Sequence, residues 1–290
     1  MGAAPSWLTP QVRRVLAEWP LLLGFAVIAV PALATLAAGT WSTEAGSDGP
    51  IILATGAWLI WRAWPGLVAH GSPGRGWVTA AILTPALVAY AIGRAYDFET
   101  AAMMGVWGAG VAILQSRFGG ASLRANGFPF LYLAFLIPPP AIVLLAVTAP
   151  LKIFVSVAAT SILALAGLPV VSHGVAIDVG SYQLLVEEAC SGMNSILGLL
   201  AVGLFYIHLM HGSSVRRSVI LTAALIPIAI VANIARIMIL ILLTYFAGND
   251  AAQGFLHGFA GMVVFTVALG LVFAFDQLVS RLERMRGAPQ

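Results

Sequence analysis

The sequence predicts an all-α polytopic membrane protein of about eight transmembrane helices with both termini cytoplasmic. Three observations carry that reading. Apolar residues make up 60% of the 290 positions and charged residues only 9%, with a mean hydropathy of +0.98. Apolar runs follow one another, each close to the roughly 20 residues that cross a hydrocarbon core. The basic residues between those runs fall mainly on one side of the membrane when the chain is threaded through it. The basic isoelectric point does not indicate nucleic-acid binding, because arginines occur in ones and twos and form no stripe.

Taken in order, the spans are expected near 19–39, 50–68, 78–95, 101–116, 128–147, 192–210, 217–246 and 256–279. Arg13 and Arg14 precede an apolar run from Trp19 to Ala38, longer than the roughly 7–15 residues of a signal-peptide core, so the first span is expected to be uncleaved. With the N-terminus inside, Arg13, Arg14, Arg62, Arg75, Arg117, Arg124, Arg216, Arg217, Arg281, Arg284 and Arg286 lie on the cytoplasmic side. Only Arg94 and Lys152 lie outside, which is the asymmetry the positive-inside rule demands. The whole chain, 1–290, reads as one membrane-embedded domain, with four spans in 1–127 and a core bearing the chemistry in 128–290.

The middle of the chain departs from simple spans. Pro138-Pro139-Pro140 cannot continue an ordinary helix, since each proline lacks an N–H and clashes with the preceding turn. If the apolar stretch Leu151–Leu168 crossed the membrane, the downstream arginines would change sides; it is therefore expected to lie along the outer interface or to re-enter, beginning after Pro150. Next, Val175, Ile177 and Val179 alternate, Gly180-Ser181 reads as a turn, and Tyr182, Leu184 and Val186 alternate again. A short β-hairpin is expected on the outer side.

Three residues that could do chemistry converge under this topology. Cys190, the single cysteine, opens the sixth span at its outer end. Arg236 lies about 28 Å along the seventh span from the inner pair Arg216-Arg217 at 1.5 Å per residue, near the outer boundary. His257 opens the eighth span on the same side. A thiol is nucleophilic as thiolate, which a helix N-terminus or a nearby histidinium favours. Ser191 and Gly192 permit close backbone approach beside Cys190, and Glu187 or Glu188 could sit at the helix N-terminus or orient an imidazole. An imidazole would serve as base and then as acid for a leaving amine; His257 is the candidate, and His173 is the rival base within reach. Arg236 cannot deprotonate, so it would hold oxyanion charge or a substrate carboxylate, with Asn233 one turn before it. Taken singly, each has an ordinary alternative: an inert buried cysteine, an interfacial arginine anchor, a structural histidine.

The segment Val186-Glu187-Glu188-Ala189-Cys190-Ser191-Gly192-Met193-Asn194-Ser195 resembles the cysteine motif of the exosortase and archaeosortase family. Asn233-Ile234-Ala235-Arg236-Ile237 resembles that family's arginine motif, and His257-Gly258-Phe259-Ala260-Gly261 its histidine motif. The likeness is strongest from about Phe128 to Phe273. It implies a multi-spanning cysteine protease and transpeptidase of the plasma (inner) membrane, with its site facing the periplasm or extracytoplasmic side. The implied substrates are secreted proteins bearing a C-terminal sorting signal: a recognition motif, a transmembrane helix and a basic tail. The resemblance carries catalytic roles to Cys190, Arg236 and His257, and supporting positions to Glu188, Ser191, Asn194 and Asn233. One departure is Asp48-Gly49 in the first outer loop, where many members are expected to carry His-Gly.

No cofactor or metal is implied: one cysteine and scattered histidines lack zinc-ligand spacing, and no phosphate loop or dinucleotide fingerprint occurs. The expected partners are tailed substrates and membrane lipid. Pairs such as Gly105/Gly108 and Gly258/Gly261 read as close-contact positions between spans. Two other classes remain as alternatives. One is a transporter or lipid-handling protein, though no paired repeats with interrupted helices are seen; the other is a non-catalytic scaffold with an inert Cys190.

Overall fold

Leucine, isoleucine, valine and alanine dominate the long runs, and in a bilayer their backbone groups can be satisfied only within helices or closed barrels. The computed structural model follows the helical solution and describes residues 10–43, 46, 48–185, 194–212, 214–248, 250 and 260–285. Among the described residues the helices are α1 (Pro10–Ala38), α2 (Gly49–Ala69), α3 (Gly76–Ala95), α4 (Glu99–Ala125), α5 (Phe128–Leu133), α6 (Ala141–Leu165), α7 (Asn194–His211), α8 (Val215–Ala247) and α9 (Ala260–Met285). Strands β1 (Val170–His173), β2 (Ala176–Val179) and β3 (Tyr182–Leu185) lie between α6 and α7. Among the described residues, five segments are long and apolar enough to cross a membrane: Trp19–Ser42, Gly49–Ala69, Gly76–Ala95, Ala141–Leu165 and Val215–Ala247. The chain divides into one compact unit of Met1–Ser42 with Leu53–Pro138, and another of Thr43–Ile52 with Pro139–Gln290.

In the first unit, α3 and α4 form a tight antiparallel pair. A Cβ on Gly93 would fall 2.2 Å from the Ala102 nitrogen, and one on Gly105 would fall 2.6 Å from the Ala86 carbonyl oxygen. Such approach is what small residues provide where lipid supplies no hydrophobic drive between helices. Helix α4 kinks at Gly119, whose φ of 70° and ψ of 166° suit glycine.

The expected span over 128–147 is not one helix. Helix α5 tightens into a 3-10 turn at Ala134–Leu136 and ends at the prolines. This broken segment still travels along α2 and α4. Asn126 lies beside Gly66, Tyr132 Oη bonds Thr55 Oγ1 at 2.8 Å, and the Pro138 carbonyl accepts from Thr100 Oγ1 at 2.8 Å. Trp107 Nε1 donates to the Phe130 carbonyl at 2.8 Å, so protein groups satisfy backbone that the break frees.

In the second unit, Pro140 takes the N-cap position of α6, where a missing N–H costs nothing. The helix expected to begin after Pro150 instead begins at Ala141 and continues through Pro150. Its residues Val155, Ala159 and Leu163 pack with Ile237, Leu240 and Ile241 of α8 and with Val170, Ile177, Val179 and Leu184 of the sheet. The hairpin appears where expected, as antiparallel β2 and β3 with Val179 opposite Tyr182 and a turn at Gly180 (φ 59°). Strand β1, not anticipated, adds to its other edge with Val170 opposite Val179. Helices α7, α8 and α9 close the unit through Leu199, Ala229, Ala232 and Ala268, and through Ile207, Leu221, Leu225 and Val272.

Candidate active site

Of the candidate site residues, Asn233 and Arg236 lie on α8. Helix α8 is 33 residues long and apolar beyond its first turn except for a few positions. Its buried residues run Leu225, Ala229, Ala232, Asn233, Arg236, Ile237, Leu240, Ile241 and Thr244, the spacing of one continuous helix face. Asn233 and Arg236 therefore share the face that packs into protein. Arg236 is 3% exposed and Asn233 is 2% exposed. Burying a guanidinium and a carboxamide within an apolar helix is costly, and ionisable groups at such positions mark function more often than packing.

Neither Nδ2 nor Oδ1 of Asn233 has a hydrogen-bond partner among the described residues. Ser156 Oγ on α6 is likewise without one, whereas two buried threonines find a partner within their own helix. Thr244 Oγ1 donates to the Leu240 carbonyl at 2.9 Å, and Thr160 Oγ1 to the Ser156 carbonyl at 2.9 Å.

Cys190, Glu187, Glu188, Ser191 and His257 lie outside the described residues, as does the Gly258 of the second glycine pair. Asn194 is the first residue of α7. The rival base His173 stands on β1 with its side chain 65% exposed, and its Nε2 is 3.4 Å from Asp178 Oδ2 on β2. Gln183 Nε2 donates to the other oxygen of that carboxylate at 3.0 Å. His173 thus belongs to a solvent-facing polar row across the sheet.

Two further residues were not singled out for a role in the sequence. Asp48, at the first-outer-loop position where histidine is expected, accepts the Ile52 N–H at its backbone carbonyl (3.0 Å) in the first turn of α2. Its carboxylate rests on Gly198 of α7, where an added Cβ would come within 1.7 Å of Oδ2. Burial raises its pKa above the ordinary 3.8. Only tertiary packing shows this, because nothing in the sequence links positions 48 and 198.

The second is Asp276 of α9, 7% exposed. It accepts from Tyr206 Oη at 2.7 Å, lies 2.9 Å from His211 Nε2, and binds Arg217 Nη2 at 2.6 Å and Nε at 3.2 Å. Arg217 also reaches Ser280 and lies 3.6 Å from Glu283. The network joins α7, α8 and α9 near the N-terminal end of α8. A lone carboxylate within an apolar run was the available signal.

A family model described as transmembrane exosortase (Exosortase_EpsH) matches residues 40–274. No curated protein matches the chain, and no solved structure matches it.

Proposed function

The chain belongs to the transmembrane exosortase family, and from that premise we propose that it is a membrane cysteine transpeptidase that processes C-terminal sorting signals. Its substrates are secreted proteins held in the membrane by a C-terminal transmembrane helix that follows a recognition motif and precedes a basic tail. The observation that carries the reading is the buried cation Arg236 on the packed face of α8, inside the matched region and in a stretch that resembles the family's arginine motif.

The chemistry follows from the three residue types. The Cys190 thiolate attacks the scissile carbonyl carbon, and the negative charge that develops on the carbonyl oxygen is held by the Arg236 guanidinium. Collapse breaks the C–N bond, and the departing amine takes a proton from the His257 imidazolium. The product is a thioester between Cys190 and the secreted protein, while the tail remains in the membrane. Water or an acceptor amine then attacks the thioester and returns the thiol. A fixed guanidinium suits this role at membrane depth because it stays charged where an ammonium would readily lose its proton.

The test is processing in cells. Mass spectrometry of C-terminal peptides should show tailed precursors accumulating in a strain that carries Cys190→Ala, with the variant present at wild-type level in the membrane. His257→Ala should accumulate the same precursors and His173→Ala should not. Normal processing by the Cys190→Ala strain would remove the nucleophile and with it the proposed activity.

A further inference from the structure

Asn233 is fully buried with both its amide donor and its amide acceptor stranded among the described residues. Burying such groups unpaired is unfavourable, and an apolar residue of the same branched shape would fill the position without that cost. The neighbours of Asn233 on the face of α8 are Ala229, Ala232, Ile237 and Leu240, all apolar apart from Arg236. Asn233 and Arg236 stand three residues apart, so their Cβ atoms are about 5–6 Å from each other on one helix face.

Resting on the reading of this face as an acyl-transfer site, we propose that Asn233 is a substrate-backbone clamp. Its Nδ2 donates to a carbonyl, and its Oδ1 accepts from an N–H, of the substrate chain next to the scissile bond. The argument is one of matched deficits. A substrate helix entering from the bilayer must be unwound at the bond to be cleaved, because attack needs an exposed carbonyl. Unwinding strands peptide N–H and C=O groups at a depth where water is scarce. A carboxamide carries the same donor and acceptor chemistry as a peptide group, so each satisfies what the other lacks. Placed one turn from Arg236, the clamp would hold the chain while the guanidinium takes the charge of the tetrahedral intermediate. Because the clamp bonds to backbone, it would act on any side-chain sequence and favour extended chain over helix. Asn233 is on this account a binding and positioning residue, with Arg236 the group that meets the reacting oxygen.

The experiment compares wild type, Asn233→Leu and Asn233→Ala, assayed as purified full-length protein. The probe is a reporter fused to the tail of whichever precursor accumulates in the Cys190→Ala strain. Leucine keeps the branching of asparagine without its polar atoms. Asn233→Leu should unfold at the same temperature as wild type or higher, while kcat/KM for the reporter falls about tenfold to a hundredfold, chiefly through KM. Asn233→Ala, which adds no bulk, should show the same loss without losing its fold. Two results would overturn the proposal: unchanged kcat/KM in both variants, or a lowered unfolding temperature in both, which would mean that the amide is paired within the folded protein. Cys190→Ala separates this from the activity itself. If that variant is dead and Asn233→Leu is fully active, the clamp is wrong and the enzyme reading stands. If Cys190→Ala still processes the reporter, both fall.

Discussion

Removing the carboxylate of Asp276 should destabilise the α7–α8–α9 bundle, and the size of the effect can be worked from its partners. Asp276→Ala takes away the acceptor for Tyr206 at 2.7 Å, the contact with His211 at 2.9 Å and both bonds from Arg217. Breaking one side of a buried ion pair costs about 3–5 kcal/mol, mostly because the surviving charge is left unpaired. Arg217 is not fully enclosed: its side chain is 19% exposed and Glu283 lies 3.6 Å away. Partial solvation and this second carboxylate reduce the penalty, so roughly 2–3 kcal/mol is expected. Arg217→Met removes the stranded charge, so Asp276→Ala should cost much less in that background, giving a coupling of about 1.5–3 kcal/mol in a double-mutant cycle. Thermal or denaturant unfolding of the purified protein in detergent measures both quantities. An Asp276→Ala protein within 0.5 kcal/mol of wild type, or a coupling near zero, would refute the argument that this network fastens the three helices.

Two more predictions concern packing and pH. A Cβ at Gly93 would meet the Ala102 nitrogen at 2.2 Å, a backbone atom that cannot rotate away. Gly93→Ala should therefore push α3 from α4 and cost about 1–3 kcal/mol, read as a lowered unfolding temperature; an unchanged value would mean that the helices are not in close contact. The Asp48 carboxyl has a raised pKa because it is buried, so the folded chain holds that proton to higher pH than the unfolded chain. Its contribution to stability is then full below about pH 3.8 and is lost as pH rises through the raised value, beyond which a buried charge remains. Asp48→Asn should flatten the fall in stability across that window and be at least as stable as wild type at pH 7. A less stable variant at pH 7 would show that a cation compensates the carboxylate.

What the sequence disclosed depended on how local the determining physics was. The hairpin was readable because alternation of Val175, Ile177 and Val179 and the Gly180-Ser181 turn act within a few residues. Strand β1 was not, because Val170–His173 shows little alternation and is a strand by virtue of pairing with β2. The break at Pro138–Pro140 was readable from missing N–H groups, yet the resumption at Ala141 and the passage through Pro150 were not. A single proline well inside a long helix removes one hydrogen bond, which the flanking turns tolerate. For the site, the spacing of Asn233 and Arg236 already placed them on one face, and the structure adds that this face is buried. The stranding of the Asn233 amide depends on what packs opposite, as does the seat of Asp48 on Gly198, so neither can be read along the chain.

Two polar positions of α8, Arg217 and Asn233, argue for different origins. Arg217, near the N-terminal end, is met by Asp276, Ser280 and Glu283. Sixteen residues on, about 24 Å along the helix, Asn233 has both its amide atoms stranded among the described residues. The bundle can evidently complete a polar group when the purpose is to join helices: Tyr206 from α7 and Asp276 from α9 both converge on that point. Selection for stability alone would have completed Asn233 in the same way or replaced it with leucine, as an unpaired buried amide favours neither folding nor insertion. An orphaned donor and acceptor one turn from a buried guanidinium are best accounted for by partners that arrive from outside the chain. On the function proposed above, a tailed substrate unwound at the bond to be cut would supply such groups.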